Sequence, residues 1–91
     1  MSATVRIPTP LRTLTDDQTT VAVEGATVAE VVAHLDATHP GIGERILDEN
    51  GAIRRFVNVF VDDEDVRFAD GLATRVPDGA TVSIIPAVAG G

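Results

Sequence analysis

The chain has 91 residues, enough for one small domain and too few for two. It has no cysteine, which excludes disulfides, thiolate metal sites, cysteine nucleophiles and iron–sulfur ligation, fits a reducing, cytoplasmic setting, and leaves stability to packing alone. Fourteen acidic residues against seven basic ones give a net charge of −7, which argues against nucleic acid or an anionic membrane as partner and for a basic protein surface.

In chain order, Thr4-Val5-Arg6-Ile7 is apolar at alternate positions and predicts a half-buried strand ended by Pro8 and Pro10. After a loop, Thr19 to Glu24 repeats the alternation with β-branched residues and predicts a second strand that pairs back on the first. Thr27, with Glu30 three residues on, is a capping-box signal for a helix, and Val28, Val31, Val32 and Leu35 then fall on one stripe. That helix must stop before Pro40-Gly41, and a shorter helix is predicted over Ile42 to Leu47, closed by Asn50-Gly51.

Phe56 to Val61 carries the clearest strand pattern: valines 57, 59 and 61 share one face, and Phe56, Asn58 and Phe60 share the other. Asp62 to Asp65 reads as a solvated acidic turn leading into Val66-Arg67-Phe68. It lacks the glycine and distal glutamate of a calcium loop. Pro77-Asp78-Gly79 is a turn into the last strand, Thr81 to Ile85. The sum is an α+β domain over residues 1–85: a mixed sheet of about four or five strands with one main helix across a face and a short second helix.

Residues 86–91, Pro86-Ala87-Val88-Ala89-Gly90-Gly91, carry no charge and no large side chain and read as a projecting tail. At about 3.4 Å per residue, six extended residues reach roughly 20 Å, enough to carry the terminal carboxylate into a deep cleft. The two glycines keep that approach narrow, because a chain without Cβ admits close backbone contact. His34 and His39 lack the partners a zinc site or catalytic triad needs and are placed at the surface and end of the first helix; no metal site is predicted. Met1 to Pro8 shows no leader pattern, and no apolar stretch is long enough to span a bilayer.

Val5-Arg6-Ile7-Pro8-Thr9, Arg55-Phe56-Val57-Asn58, Asp63 to Phe68, Gly71-Leu72-Ala73-Thr74 and the terminal Pro86 to Gly91 together resemble the ubiquitin-like sulfur carrier proteins, in particular the branch that serves cysteine biosynthesis. The resemblance implies a β-grasp fold, with the first and last strands parallel and adjacent at the sheet centre and the helix over one face. It implies a protein that is not an enzyme but a co-substrate, whose reactive group is the Gly91 carboxylate. An α-carboxyl with a pKa of about 3.5 is ionised at neutral pH and a poor electrophile, so it must be activated before an oxygen is replaced.

In the family, an E1-like adenylating and sulfurtransferase enzyme spends ATP to make an acyl-adenylate there. Sulfide or a persulfide donor then leaves a thiocarboxylate. The implied acceptor is a pyridoxal-phosphate-dependent cysteine synthase acting on O-phosphoserine, or another sulfur-accepting synthase, with a metal-dependent peptidase releasing the product. ATP and pyridoxal phosphate belong to those partners. Val88, Ala89 and Gly90 would thread into partner active sites, and Phe60, Ile85 and Pro86 would form a docking patch. For Phe60, docking and core readings stand level; for Phe56 the core reading is favoured.

The same tail also serves two alternatives, the small subunit of a molybdopterin synthase and a ubiquitin-like protein modifier. All seven bases are arginine, so no lysine offers a side-chain amine for Schiff-base chemistry or for capture of the chain's own activated terminus.

Overall fold

A computed structural model describes residues 2–86. Five strands, β1 (Ser2–Arg6), β2 (Thr20–Glu24), β3 (Val57–Val61), β4 (Glu64–Asp65) and β5 (Thr81–Pro86), form one sheet in the order β2-β1-β5-β3-β4. β1 and β5 run parallel at its centre, pairing Thr4 with Thr81, Val5 with Val82 and Arg6 with Ser83. The remaining pairs, β1 with β2, β3 with β5 and β3 with β4, are antiparallel. This is the strand arrangement the resemblance implies.

Two helices, α1 (Val28–Thr38) and α2 (Ile42–Ile46), cover one face. The Thr27 hydroxyl accepts from the Glu30 N–H at 3.3 Å, and the Glu30 carboxylate accepts from Ala26 N–H at 3.0 Å, one residue before the cap. The stripe Val28, Val31, Val32 and Leu35 is buried against Val5, Val59, Val82 and Ile84 of the sheet and against Ile42 and Ile46. Asp36 joins the helices, accepting from Gly41 N–H at 3.1 Å and Gly43 N–H at 2.9 Å. Gly43 is required there, since a Cβ would lie 2.9 Å from the Asp36 carboxyl carbon.

The structure departs from the sequence reading in four places. The loop after β1 contains a 3-10 helix, Thr9–Thr15, which buries Leu11 and Thr15; the Thr15 hydroxyl is satisfied by the carbonyls of Arg12 and Gln18. The acidic turn is a hairpin whose second arm, Glu64–Asp65, is itself a strand. β5 extends one residue further than expected, to Pro86 opposite Val57, a strand-end position that tolerates a missing N–H.

Phe56 is not core. It is 55% exposed and sits in a turn closed by Val57 N–H to the Arg54 carbonyl at 3.0 Å, so β3 begins only at Val57. Shorter 3-10 turns, Val66–Phe68 and Gly71–Ala73, follow β4. No helix among the described residues is long and apolar enough to cross a membrane.

Candidate functional site

Strand alternation sends one set of side chains to the helices and leaves the other uncovered. On the uncovered face, Thr20, Arg6, Ser83, Phe60 and Asp65 stand in register across all five strands. In the next row toward the end of β5, Ile85 lies opposite Asn58. Ile85 is 49% exposed, Phe60 and Pro86 are half-buried, and Ser83 between the strands is half-buried too. Phe60, for which both readings stood open, is therefore a residue of the uncovered face. Phe56, Phe68 and Ile85 are the exposed large hydrophobics among the described residues.

The site has a direction. β5 starts at Thr81, tied to Asp62 by the Thr81 N–H to Asp62 Oδ1 bond of 3.1 Å, and finishes at Pro86 beside the beginning of β3. β5 therefore ends at the side of the sheet where Phe56, Asn58 and Ile85 lie. Val88, Ala89, Gly90 and Gly91 lie outside the described residues.

That side is held by Arg67. Its Nη2 lies 2.8, 2.9 and 2.7 Å from the carbonyl oxygens of Arg54, Arg55 and Val57, and its Nη1 donates to Asn58 Oδ1 at 3.2 Å. One guanidinium thus fixes the turn that presents Phe56, using the fan of donors that only arginine has. Arg67 is positioned in turn by Asp65, whose Oδ1 accepts its backbone N–H at 2.9 Å. Nothing in the local sequence pattern signals this clamp, which joins residues nine to thirteen positions apart.

The remaining candidates resolve into structure. Asp62, with positive φ, turns the hairpin, and Asp65 caps the 3-10 turn after β4. His34 meets the Glu24 carbonyl through Nδ1, and His39 caps the end of α1. Among the described residues no group of three or more His, Asp or Glu side chains is placed to hold a metal ion.

On the β1 side of the exit lies a cleft of about 370 Å³. It exists because β1 turns away at Pro8 into the 3-10 helix while β5 continues past its last partner pair, Arg6 with Ser83, to Pro86. Arg6, Arg12 and Ser83 with three threonines, 9, 19 and 20, supply its polar lining, and Ile85 and Pro86 form part of its apolar wall.

A sheet with parallel first and last strands at its centre, a helix layer on one face, and the C-terminal strand running out beside an uncovered apolar patch is a ubiquitin-like β-grasp domain. The ThiS family model matches residues 5–91, and the chain belongs to that family. It is 50% identical over 93 residues to the sulfur carrier protein CysO of Mycobacterium tuberculosis, covering 100% of both chains. The crystal structure of the Amycolatopsis orientalis BexX/CysO complex contains a chain of 49% identity that superposes with a TM-score of 0.92, covering 98% of this chain and 99% of that one. The small archaeal modifier protein 3 of Haloferax volcanii is 40% identical over 68 residues, 75% of this chain and 73% of the relative.

Proposed function

We propose that the protein is a sulfur carrier, loaded at Gly91 and read by enzymes that dock on the uncovered sheet face. The observation that carries the reading is the placement of β5: this central strand ends at Pro86, beside Phe60 and Ile85 on the uncovered face, in a sequence that continues to Gly90-Gly91. The full-length similarity to sulfur carrier proteins supports it, and a relative found in complex with BexX supports recognition by a second protein.

In this reading the Gly91 carboxylate attacks the α-phosphorus of ATP on an E1-like enzyme, and pyrophosphate leaves. Hydrosulfide then attacks the acyl carbon of the adenylate, AMP leaves, and a thiocarboxylate remains. The carrier contributes no acid, base or metal to either step. It supplies reach, through Val88, Ala89 and Gly90, and an address, through Phe60, Ile85 and Pro86, with Phe56 at the rim. The sulfur would pass to a pyridoxal-phosphate-dependent cysteine synthase or another sulfur-accepting synthase: with O-phosphoserine the thiocarboxylate sulfur takes the place of the departing phosphate, an S-to-N acyl shift puts cysteine in amide linkage to Gly91, and a metal-dependent peptidase hydrolyses that amide to free cysteine and restore the Gly91 carboxylate.

Adenylation is tested by ATP–pyrophosphate exchange with the cognate E1-like enzyme. Exchange should depend on the carrier and vanish with a carrier lacking Gly91; exchange that persists with the truncated chain would remove Gly91 from the chemistry. The similarity to an archaeal modifier protein supports a second reading, transfer to amines of target proteins. Target conjugates that survive reductant would favour it, whereas sulfide-dependent labelling of the carrier favours the first.

A further inference from the structure

The cleft on the β1 side of the exit has a chemistry opposite to that of the chain as a whole. The net charge is −7, yet two guanidiniums, Arg6 and Arg12, line this one cleft together with the side chains of Thr20 and Ser83. Arg12 is half-buried and its Nε donates to the Ile7 carbonyl at 3.1 Å, which anchors the stem across the turn and leaves the two terminal nitrogens for another acceptor. Arg6 stands exposed on the uncovered face, and among the described residues its side chain makes no hydrogen bond or ion pair. Arg12 likewise has no carboxylate partner there.

We infer that this cleft receives an acidic side chain, Asp or Glu, from the adenylating enzyme that takes up the tail. The inference rests on the carrier reading and adds to it the anchor that sets the carrier's orientation. Charge complementarity argues for the occupant: a guanidinium matches a carboxylate through paired N–H donors, two arginines line the cleft, and the Thr20 and Ser83 hydroxyls of the same lining add donors that a carboxylate can use. Position argues for it too. Ile85 and Pro86 form one wall, so a group seated in the cleft sits against the point where the chain leaves the sheet. The acidic remainder of the surface attracts a basic enzyme face over long range, and a single inverted contact beside the exit rejects misaligned encounters.

The test is a titration of ATP–pyrophosphate exchange against carrier concentration for the full chain, Arg6→Glu, Arg12→Glu, and Arg75→Glu as a reversal of equal charge away from the cleft, on the segment bridged to Thr27 at the start of α1. The half-saturating carrier concentration should rise about tenfold for each cleft variant, with the maximal rate within about twofold and the effect shrinking at high salt. Arg75→Glu should behave as the unaltered chain. Cleft variants indistinguishable from Arg75→Glu would overturn the inference while leaving the carrier reading intact, and absence of exchange with the unaltered chain would remove both. If Arg12→Glu fails to fold through loss of its bond to Ile7, Arg6→Glu decides alone, since it breaks no bond in the free carrier. Saturable binding of inorganic phosphate or ATP to the free carrier, lost in Arg6→Glu, would reassign the cleft to a phosphate and overturn the carboxylate.

Discussion

The two faces of the sheet are made by the same five strands and do different work. Toward the helices, Val5, Val59, Val82 and Ile84 are buried under Val28, Val31 and Leu35 in one continuous core. On the other side, one residue along in each strand, Arg6, Phe60, Ser83 and Ile85 stay open or half-open. Alternation therefore separates stability from recognition at single-residue resolution: the covered face decides whether the domain exists, and the uncovered one decides what it meets. A domain this small, with no disulfide, has little apolar surface to spare, so exposed Ile85, Phe56 and Phe68 represent burial forgone in the free chain.

Substitutions that act on one side of this division sharpen it, and any that act on both would break it. The largest expected effect is removal of Gly91, which should abolish loading in an exchange assay and leave the melting temperature unchanged. A large fall in melting temperature would make the C-terminus part of the core instead. On the covered face, Leu35→Ala should cost about 3 kcal/mol in a denaturant titration, because Leu35 is fully buried between the helices and the sheet. The loss of loading should then track the unfolded fraction and nothing more.

Ile85→Asp tests the uncovered face. It should weaken enzyme binding about tenfold, measured by calorimetry against the adenylating enzyme, with stability changed by under about 0.5 kcal/mol. Equal affinity for the two carriers would take Ile85 out of the docking patch. The smallest effect is expected at the helix start, where Thr27→Ala should remove about 1 kcal/mol in thermal melts by leaving the Glu30 N–H without its cap, and should leave binding untouched.

The division was largely legible in the residues because it follows from period-two patterning. Valines 57, 59 and 61 read as one face and are one face. The helix start at Thr27 and the turn at Gly79, with its positive φ, were equally local signals. What escaped depends on contacts far apart in the chain. Phe56 continues the strand pattern on paper, but the Arg67 guanidinium captures the carbonyls of Arg54, Arg55 and Val57 and holds that stretch as a turn.

β4 is two acidic residues long, below the reach of any periodicity. The 3-10 helix over Thr9–Thr15 had a faint signal in Pro10 near its start and in Leu11 and Leu14 three apart, spacing that a 3-10 turn places on one side. The arginine cleft had none, because Arg6 and Arg12 come to line one cleft only after β1 bends away from β5.

The account stands or falls on sulfur at the last residue. Intact-mass spectrometry of the full chain, after incubation with its adenylating enzyme, ATP and sulfide, measures this directly. The expected result is one ATP-dependent replacement of oxygen by sulfur, placed at Gly91 by fragmentation. An unchanged mass, with an enzyme that demonstrably loads another carrier of the family under the same conditions, would contradict it.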